Sequence, residues 1–144
     1  MALDYKNILI AVDGSDPANK AFQRAVEVAK ITDAKLTISH VIDTRAFATI
    51  EAYDQTIISQ TEKHSKDLVE KYADQAKEAG VNNVETKIEF GSPKVKIAKD
   101  LANDVEADLI VCGATGLNAV ERFLMGSVSE SITRYAKCDV LVVR

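Results

Sequence analysis

Three glycines and two serines in the last third of the chain have the spacing of an anion-binding segment. Gly113-Ala-Thr-Gly116 is followed nine residues later by Gly126-Ser-Val-Ser129. An apolar run, Leu109 to Cys112, precedes the first glycine and predicts a buried strand, and the segment from Ser127 predicts the start of a helix. Backbone N–H groups at a helix N-terminus attract anions because the macrodipole places about half a positive charge there. Serine hydroxyls add donors, so this segment predicts a phosphate cradle.

Generic motifs do not identify what carries the phosphate. The chain has no G-x-x-x-x-G-K-[ST], and its first strand is not followed by G-x-G-x-x-G. A Walker-type loop and the dinucleotide fingerprint are therefore excluded. Glycine spacing alone fits a long strand-to-helix connection with turn glycines equally well.

Composition limits the class of protein. The 144 residues predict a single domain over 1–144, long enough to bury a full core, and the net charge of −4 comes without a basic stripe. We therefore expect no nucleic-acid partner. The longest apolar runs are too short to cross a membrane. Cys112 and Cys138 do not make a disulfide framework and predict a cytoplasmic location, while His40 and His64 lack the spacing of a zinc site.

The elements that must position the glycine segment alternate between strands and helices. Near-continuous apolar runs predict parallel strands covered on both faces, and apolar residues at helical spacing predict amphipathic helices. Ser15 or Asp16 before Pro17, and Ser92 before Pro93, predict two helix starts. Residues 43–52 fit a loop or an early helical turn. The predicted strands are 6–12, 36–42, 84–90, 108–112 and 140–143, and the predicted helices are 17–32, 53–80, one from 93 and one from 127. The helix from 93 should turn Ile97, Ala98, Leu101 and Val105 inward, and the last helix should be lined on its apolar face by Val128, Ile132, Tyr135 and Ala136.

This alternation predicts an α/β fold, a three-layer α/β/α sandwich with right-handed crossovers. Ligands of such sheets bind beyond the carboxyl ends of the strands. Asp13 ends the first strand and Gly113 follows the fourth. If both contact one ligand, those strands are neighbours, and the five-stranded parallel sheet has the order 3-2-1-4-5. Receiver domains and flavodoxins share the pattern, but the third strand ends without a phosphorylatable aspartate, and no aromatic pair for a flavin is evident.

Several segments together resemble the universal stress protein family. They are Ile10-Ala-Val-Asp-Gly-Ser15, His40-Val41, the G-x2-G-x9-G-[ST] spacing from Gly113 to Ser127, and the ending from Met125 to Val143. The resemblance covers residues 6–144. It implies a Rossmann-like fold of the adenine nucleotide alpha hydrolase type that binds ATP with Mg²⁺ or Mn²⁺.

The resemblance also implies a role for each matching residue. Three groups of residues would contact the nucleotide. The group near the ends of the first two strands should surround adenine and ribose. The group from the first glycine to the second should close over ribose and α-phosphate, and the group that starts at the third glycine should hold the β- and γ-phosphates. Asp13 should also reach the metal, directly or through water. Thr115 stands where many relatives have Arg or His, and Arg122 could supply the missing charge. The three groups are Ala11, Val12, Asp13 and Val41; Gly113, Ala114, Thr115 and Gly116; and Gly126, Ser127, Val128 and Ser129.

We expect a nucleotide-dependent switch or sensor in the stress response. The alternatives are a slow Mg²⁺-dependent ATPase and a non-catalytic dimeric scaffold with a vestigial pocket. No catalytic residue is assigned, since Asp13 is the one general base in evidence and no lysine lies in the cradle. The apolar last strand, Val140 to Val143, is predicted at a sheet edge, where it would pair with a second copy in a two-fold homodimer.

Overall fold

A computed structural model of the chain describes residues 4–44, 55–115 and 126–144. Within these ranges five strands alternate with helices, and the strands form one parallel sheet in the order β3-β2-β1-β4-β5. The predicted fold class and strand order are confirmed. The elements are β1 (Asn7–Ala11), α1 (Asp16–Thr32), β2 (Lys35–Asp43), α2 (Gln55–Glu78), β3 (Val84–Gly91), α3 (Pro93–Val95), a π-helical segment (Lys96–Leu101), α4 (Ala102–Asp104), β4 (Leu109–Gly113), α5 (Ser127–Tyr135) and β5 (Asp139–Val143).

Apolar side chains cover both faces of the sheet because alternate strand residues point to opposite sides. On β1, Ile8 and Ile10 belong to a cluster that contains Phe22 of α1 and Tyr72 of α2. Leu9 points the other way, into a cluster formed with the segment after β3 and with α5. The central strand is therefore buried on both faces, and the sheet lies between two helical layers.

Two helices of the first layer begin or end as the sequence predicts. Ser15 is the N-cap of α1, and its side chain accepts a hydrogen bond from the Ala18 N–H at 3.2 Å. Pro17 lies in the first turn, where its missing N–H costs nothing. Helix α2 ends before Gly80, whose φ of +107° allows the Gly80 and Val81 N–H groups to reach carbonyls of the last turn. Residues 45–54, which include most of the segment left undecided, lie outside the described ranges.

The second helical layer differs from expectation at two places. Between α3 and α4 the chain is π-helical, although the inward residues Ile97 and Leu101 are buried as predicted. Tyr135 was predicted to face the core, and this prediction is wrong, since 49% of the residue is exposed. The ammonium of Lys99 lies 4.7 Å from the centre of its ring. A cation over the ring face explains how a large aromatic residue is accommodated at the surface.

The outer strands are β3 and β5. Strand β3 packs Val84 and Ile88 against the core, whereas Glu85 is exposed and forms an ion pair with Lys35 at 2.8 Å. One wet face is what its alternating sequence predicts. In the described part of the chain, no helix combines the length and the apolar character needed to cross a bilayer.

Candidate functional site

The ends of β1 and β4 lie side by side at the carboxyl edge of the sheet. Ile10 pairs with Val111, so the chain leaving β1 at Asp13 runs next to the chain leaving β4 at Gly113. Helix α5 starts at this same edge, after the connection from β4. The sheet order changes direction here, because β2 lies on one side of β1 and β4 on the other. This is the place where open α/β sheets bind ligands.

Asp13 is fixed by a tight turn at the end of β1. Its Oδ1 accepts hydrogen bonds from the Ser15 N–H at 3.0 Å and from the Ser15 hydroxyl at 2.5 Å. Because the same hydroxyl caps α1, the carboxylate is tied to the start of a helix. Tyr72 of α2 lies near this carboxylate. Burial is the main cause that raises the pKa of the Tyr72 phenol, and the negative charge of Asp13 is the second cause. Only Oδ1 of Asp13 takes part in this turn, so its part in the turn is compatible with a ligand role for the other carboxylate oxygen.

The N-terminus of α5 has no side-chain cap. Gly126 occupies the N-cap position in an extended conformation (φ −65°, ψ 159°) and has no side chain to accept from the first turn. The first regular bond of the helix runs from the Glu130 N–H to the Gly126 carbonyl at 3.0 Å. The N–H groups of Ser127, Val128 and Ser129 therefore have no acceptor within the helix. They form a positive helix end at the carboxyl edge of the sheet.

The hydroxyl of Ser129 has a structural partner. It donates to the Gly113 carbonyl, and Ser129 is buried, with 5% of its surface exposed. This bond attaches the first turn of α5 to the end of β4. Next to it, burial raises the pKa of the Cys112 thiol to about 11, and a hydrogen bond with Ser129 opposes part of that rise. In this structure the Ser129 hydroxyl therefore holds β4 and α5 together, and the backbone N–H is the donor that Ser129 could contribute to the predicted cradle.

Gly113 and Ala114 pack the cradle against its surroundings. A Cβ on Gly113 would lie 3.0 Å from the backbone carbon and oxygen of Pro17, so the glycine allows β4 and α1 to approach closely. Ala114 donates to the Val143 carbonyl at 3.0 Å and accepts from the Gly126 N–H at 2.6 Å. Thr115 is the last described residue of this connection. The predicted site residue Gly116 and the candidate Arg122 lie outside the described ranges.

Val41 lies where β2 extends past β1. The last bond between these strands joins the Val12 N–H to the Ser39 carbonyl at 2.9 Å, and Val41 pairs in register with Glu89 of β3. Backbone groups of alternate residues point to the same side of a parallel strand. The N–H and C=O of Val41 therefore face the β1 side, as those of Ser39 do. The Val41 side chain is buried near Leu9, and Ala11 and Val12 line the adjoining end of β1.

The sequence model of the universal stress protein family matches residues 4–144. The chain belongs to the universal stress protein family. A putative universal stress protein of Staphylococcus saprophyticus is 58% identical to it over 142 residues, which are 99% of this chain and 85% of that protein. Homologues of this identity share the fold of the whole domain, so the site lies in a family scaffold.

Two solved structures of the family are similar over nearly the whole chain. Universal stress protein UspA from Lactobacillus plantarum is 34% identical, with a TM-score of 0.85 and 99% of both chains covered. A universal stress protein solved in complex with cAMP is 30% identical, with a TM-score of 0.73 and coverage of 99% of this chain and 98% of that one. At least one family member of this shape therefore holds an adenine nucleotide.

Three residues that the motifs did not assign contact the predicted site residues. Ser15 fixes Asp13, Pro17 meets Gly113, and the Nδ1 atom of His40 lies 2.7 Å from the Val12 carbonyl oxygen. The cap-then-proline pattern identified Ser15 and Pro17 only as a helix start. Across the described ranges, no three His, Cys, Asp or Glu side chains are grouped as a metal site.

Proposed function

We propose that this universal stress protein binds ATP together with Mg²⁺ or Mn²⁺ and acts as a nucleotide-dependent switch or sensor in the stress response. The observation that carries the proposal is the uncapped start of α5 at Gly126, beside the strand end that bears Asp13. Family membership and the related structure with cAMP support an adenine nucleotide as the ligand class.

The phosphate end of the site fits an anion. A glycine N-cap supplies no side-chain acceptor, so within the described residues the first N–H groups of α5 have no cap, and a helix N-terminus of this kind binds phosphate through backbone donors. We assign the β- and γ-phosphates to Gly126, Ser127, Val128 and the N–H of Ser129. Gly113, Ala114, Thr115 and Gly116 would lie along the ribose and α-phosphate.

The base end fits a ligand with both a donor and an acceptor. The N–H and C=O of Val41 point to the side of β2 where β1 has ended, and Ala11 and Val12 border that space. We assign adenine and ribose to these residues and to Asp13. Asp13 also has a carboxylate oxygen outside its turn, which suits a hard cation that prefers oxygen ligands. A bound cation would neutralise part of the triphosphate charge.

One experiment separates this proposal from its alternatives. The purified protein is denatured and any released small molecule is identified, and phosphate release is then followed with added ATP and Mg²⁺. Bound ATP without turnover supports a switch, and steady release supports a slow ATPase. A protein that releases no nucleotide on denaturation and neither binds nor hydrolyses added ATP would be a scaffold, and this result would contradict the proposal. A ligand of this size binds with at most about −0.3 kcal/mol of free energy per heavy atom, so the binding free energy of ATP is at most roughly −9 kcal/mol. Titrations should therefore span the micromolar range.

We also propose a homodimer formed through β5. This strand is at the sheet edge and pairs only with β4 in the described part of the chain, so its outer backbone groups are open to a second copy. Val140, Leu141 and Val142 are half-buried and present an apolar surface beside that edge. An isologous contact would pair β5 of each protomer around a two-fold axis.

Two further expectations remain proposals. A single domain over 1–144 is supported by the one sheet that contains every described strand. A cytoplasmic location is supported by Cys112 and Cys138, which are both free thiols, as in proteins of reducing compartments.

A further inference from the structure

His40 joins the ends of β1 and β2 by a side-chain hydrogen bond. Its Nδ1 atom lies 2.7 Å from the Val12 carbonyl oxygen. A carbonyl can only accept, so Nδ1 carries the proton in this contact. The preceding residue does the same one step earlier, because the Ser39 hydroxyl donates to the Ile10 carbonyl at 3.0 Å. Two successive side chains of β2 therefore hold the carbonyl of Ile10 in β1 and the carbonyl of Val12 just after it.

The His40 bond occurs where the regular ladder between these strands stops. In a continuing parallel ladder, the Val12 carbonyl would next accept from the Val41 N–H. The described ladder ends instead with the Val12 N–H on the Ser39 carbonyl, and the Val12 carbonyl is contacted by the imidazole. Among the described residues, the backbone of Val41 thus faces the β1 side with no strand paired to it there.

We propose that His40 is a positioning residue for the base end of the site. Its Nδ1–H holds Val12 so that β1 turns away after Asp13, and this keeps the N–H and C=O of Val41 available to a ligand. The inference rests on the proposed function, because it assigns Val41 to the adenine. The imidazole itself does not contact the nucleotide in this arrangement, and its effect passes through the two strand ends.

The first test is spectroscopic and needs no ligand. His40 and His64 are the two histidines of the chain, and His64 is exposed on α2. Nitrogen-15 spectra of the imidazole rings, taken above pH 8 and assigned with His64→Ala, report which nitrogen carries the proton. We expect Nδ1–H for His40. A neutral ring protonated at Nε2 would overturn the inference, because it could not donate to Val12.

The second test measures the two ends of the site separately. His40→Leu removes the donor, His40→Asn keeps an N–H near the Nδ1 position, and His64→Ala is the matched control. Calorimetry follows ATP and inorganic tripolyphosphate, each with Mg²⁺. We expect His40→Leu to lower the affinity for ATP about tenfold, which corresponds to the loss of one well-placed hydrogen bond. The affinity for tripolyphosphate should stay unchanged. His40→Asn should recover most of the ATP affinity.

The outcomes separate this inference from the proposed function. If wild type binds no adenine nucleotide, the proposed function fails. If wild type binds ATP and His40→Leu binds it equally well, only the positioning role fails. Equal losses of ATP and tripolyphosphate in His40→Leu would also overturn that role, because they would indicate general damage. Should His40→Leu fail to fold, His40→Asn and the wild-type tautomer still decide the question.

Discussion

The N–H of Gly126 donates to the carbonyl of Ala114 at 2.6 Å, and the N–H of Ala114 donates to the carbonyl of Val143 at 3.0 Å. One residue thus connects the start of α5 with the last strand of the sheet. These two hydrogen bonds are between backbone groups, so they hold the predicted cradle without a contribution from the Ala114 side chain. Among the described residues, the Ser129 hydroxyl adds a side-chain bond on one flank, and the missing Cβ of Gly113 allows the contact with Pro17 on the other.

Replacement of Gly126 by valine should abolish ATP binding and leave the protein folded. Its φ of −65° is accessible to every residue, so the backbone tolerates a side chain, but a branched Cβ would stand over the uncovered N–H groups of α5. Calorimetry with ATP and Mg²⁺ measures the loss, and circular dichroism checks the fold. Thr133→Val, on an exposed position of the same helix, is the control. Unchanged ATP affinity in Gly126→Val would contradict the assignment of the cradle.

Ser129→Ala should lower the free energy of unfolding by about 1–3 kcal/mol, because the Gly113 carbonyl would lose its buried donor. Ser129→Thr keeps a hydroxyl and serves as the comparison. Urea denaturation followed by circular dichroism gives both values. If alanine at this position leaves stability unchanged and removes ATP binding instead, the hydroxyl belongs to the ligand and its structural role is refuted.

Gly113→Ala tests the close approach of β4 to α1. The new Cβ would lie 3.0 Å from backbone atoms of Pro17, which cannot move aside as a flexible side chain could. We expect a destabilisation of about 1–3 kcal/mol, as for other overpacked positions. Thermal unfolding of the variant and of wild type measures it. A midpoint equal to or above that of wild type would show that the two elements separate without cost.

The two thiols should react at different rates in the folded protein. Cys112 is buried and its thiol pKa is raised to about 11, whereas Cys138 is half-buried and its thiol pKa is raised by burial and by the charges of Asp139 and Asp108. At pH 8 an alkylating reagent should modify Cys138 first and reach Cys112 only on unfolding, since the thiolate is the reactive form. Mass spectrometry of peptides identifies the modified residue. Equal rates for the two thiols would contradict the burial of Cys112.

The raised pKa of the Cys112 thiol predicts that the folded protein loses stability at alkaline pH. Because the folded-state pKa of Cys112 lies above its unfolded value of 9.0, the unfolded chain loses this proton first. The stabilisation is complete below pH 9 and disappears as the pH rises to about 11. At 1.36 kcal/mol per pKa unit, the change is about 3 kcal/mol. Cys112→Val should show a shallower decline between pH 9 and pH 11 in denaturation experiments. An identical decline in both proteins would exclude Cys112 as its source.

Proline at position 142 tests the proposed dimer. The Val143 carbonyl bonds Ala114 on the β4 side, so the alternate residue Val142 directs its N–H to the open edge. Val142→Pro removes that donor and should convert the proposed homodimer into a monomer, as measured by sedimentation equilibrium. Val142→Thr, which retains the N–H, should remain dimeric. A wild-type protein that sediments as a monomer would refute the edge-strand proposal directly.

Patterns in the sequence were sufficient for the alternation of strands and helices and, with one condition on two strand ends, for the sheet order. Apolar runs, the caps at Ser15 and Gly80, and the requirement that Asp13 and Gly113 meet at one edge led to the sheet order that the structure has. These features are readable because strand and helix periods, caps and crossover handedness depend on neighbouring residues or on general rules.

The directions in which individual side chains point could not be predicted from these sequence patterns. The spacing of Tyr135 suggested a core residue, yet its ring is at the surface under Lys99. Ser129 was predicted to bind phosphate, but in the structure its hydroxyl donates to the Gly113 carbonyl. Each outcome depends on which atom of a distant element lies within about 3–5 Å, and residue spacing along one helix contains no such information.

The sequence by itself determined the family and the parallel sheet, and it predicted the edge at which a ligand would bind. Only the tertiary structure decided that Gly113 makes room for Pro17 and that His40 contacts Val12 at the end of the ladder. The physical reason is distance along the chain. Helix starts and strand periods arise from residues a few positions apart, whereas these contacts form only when separate strands and helices pack together.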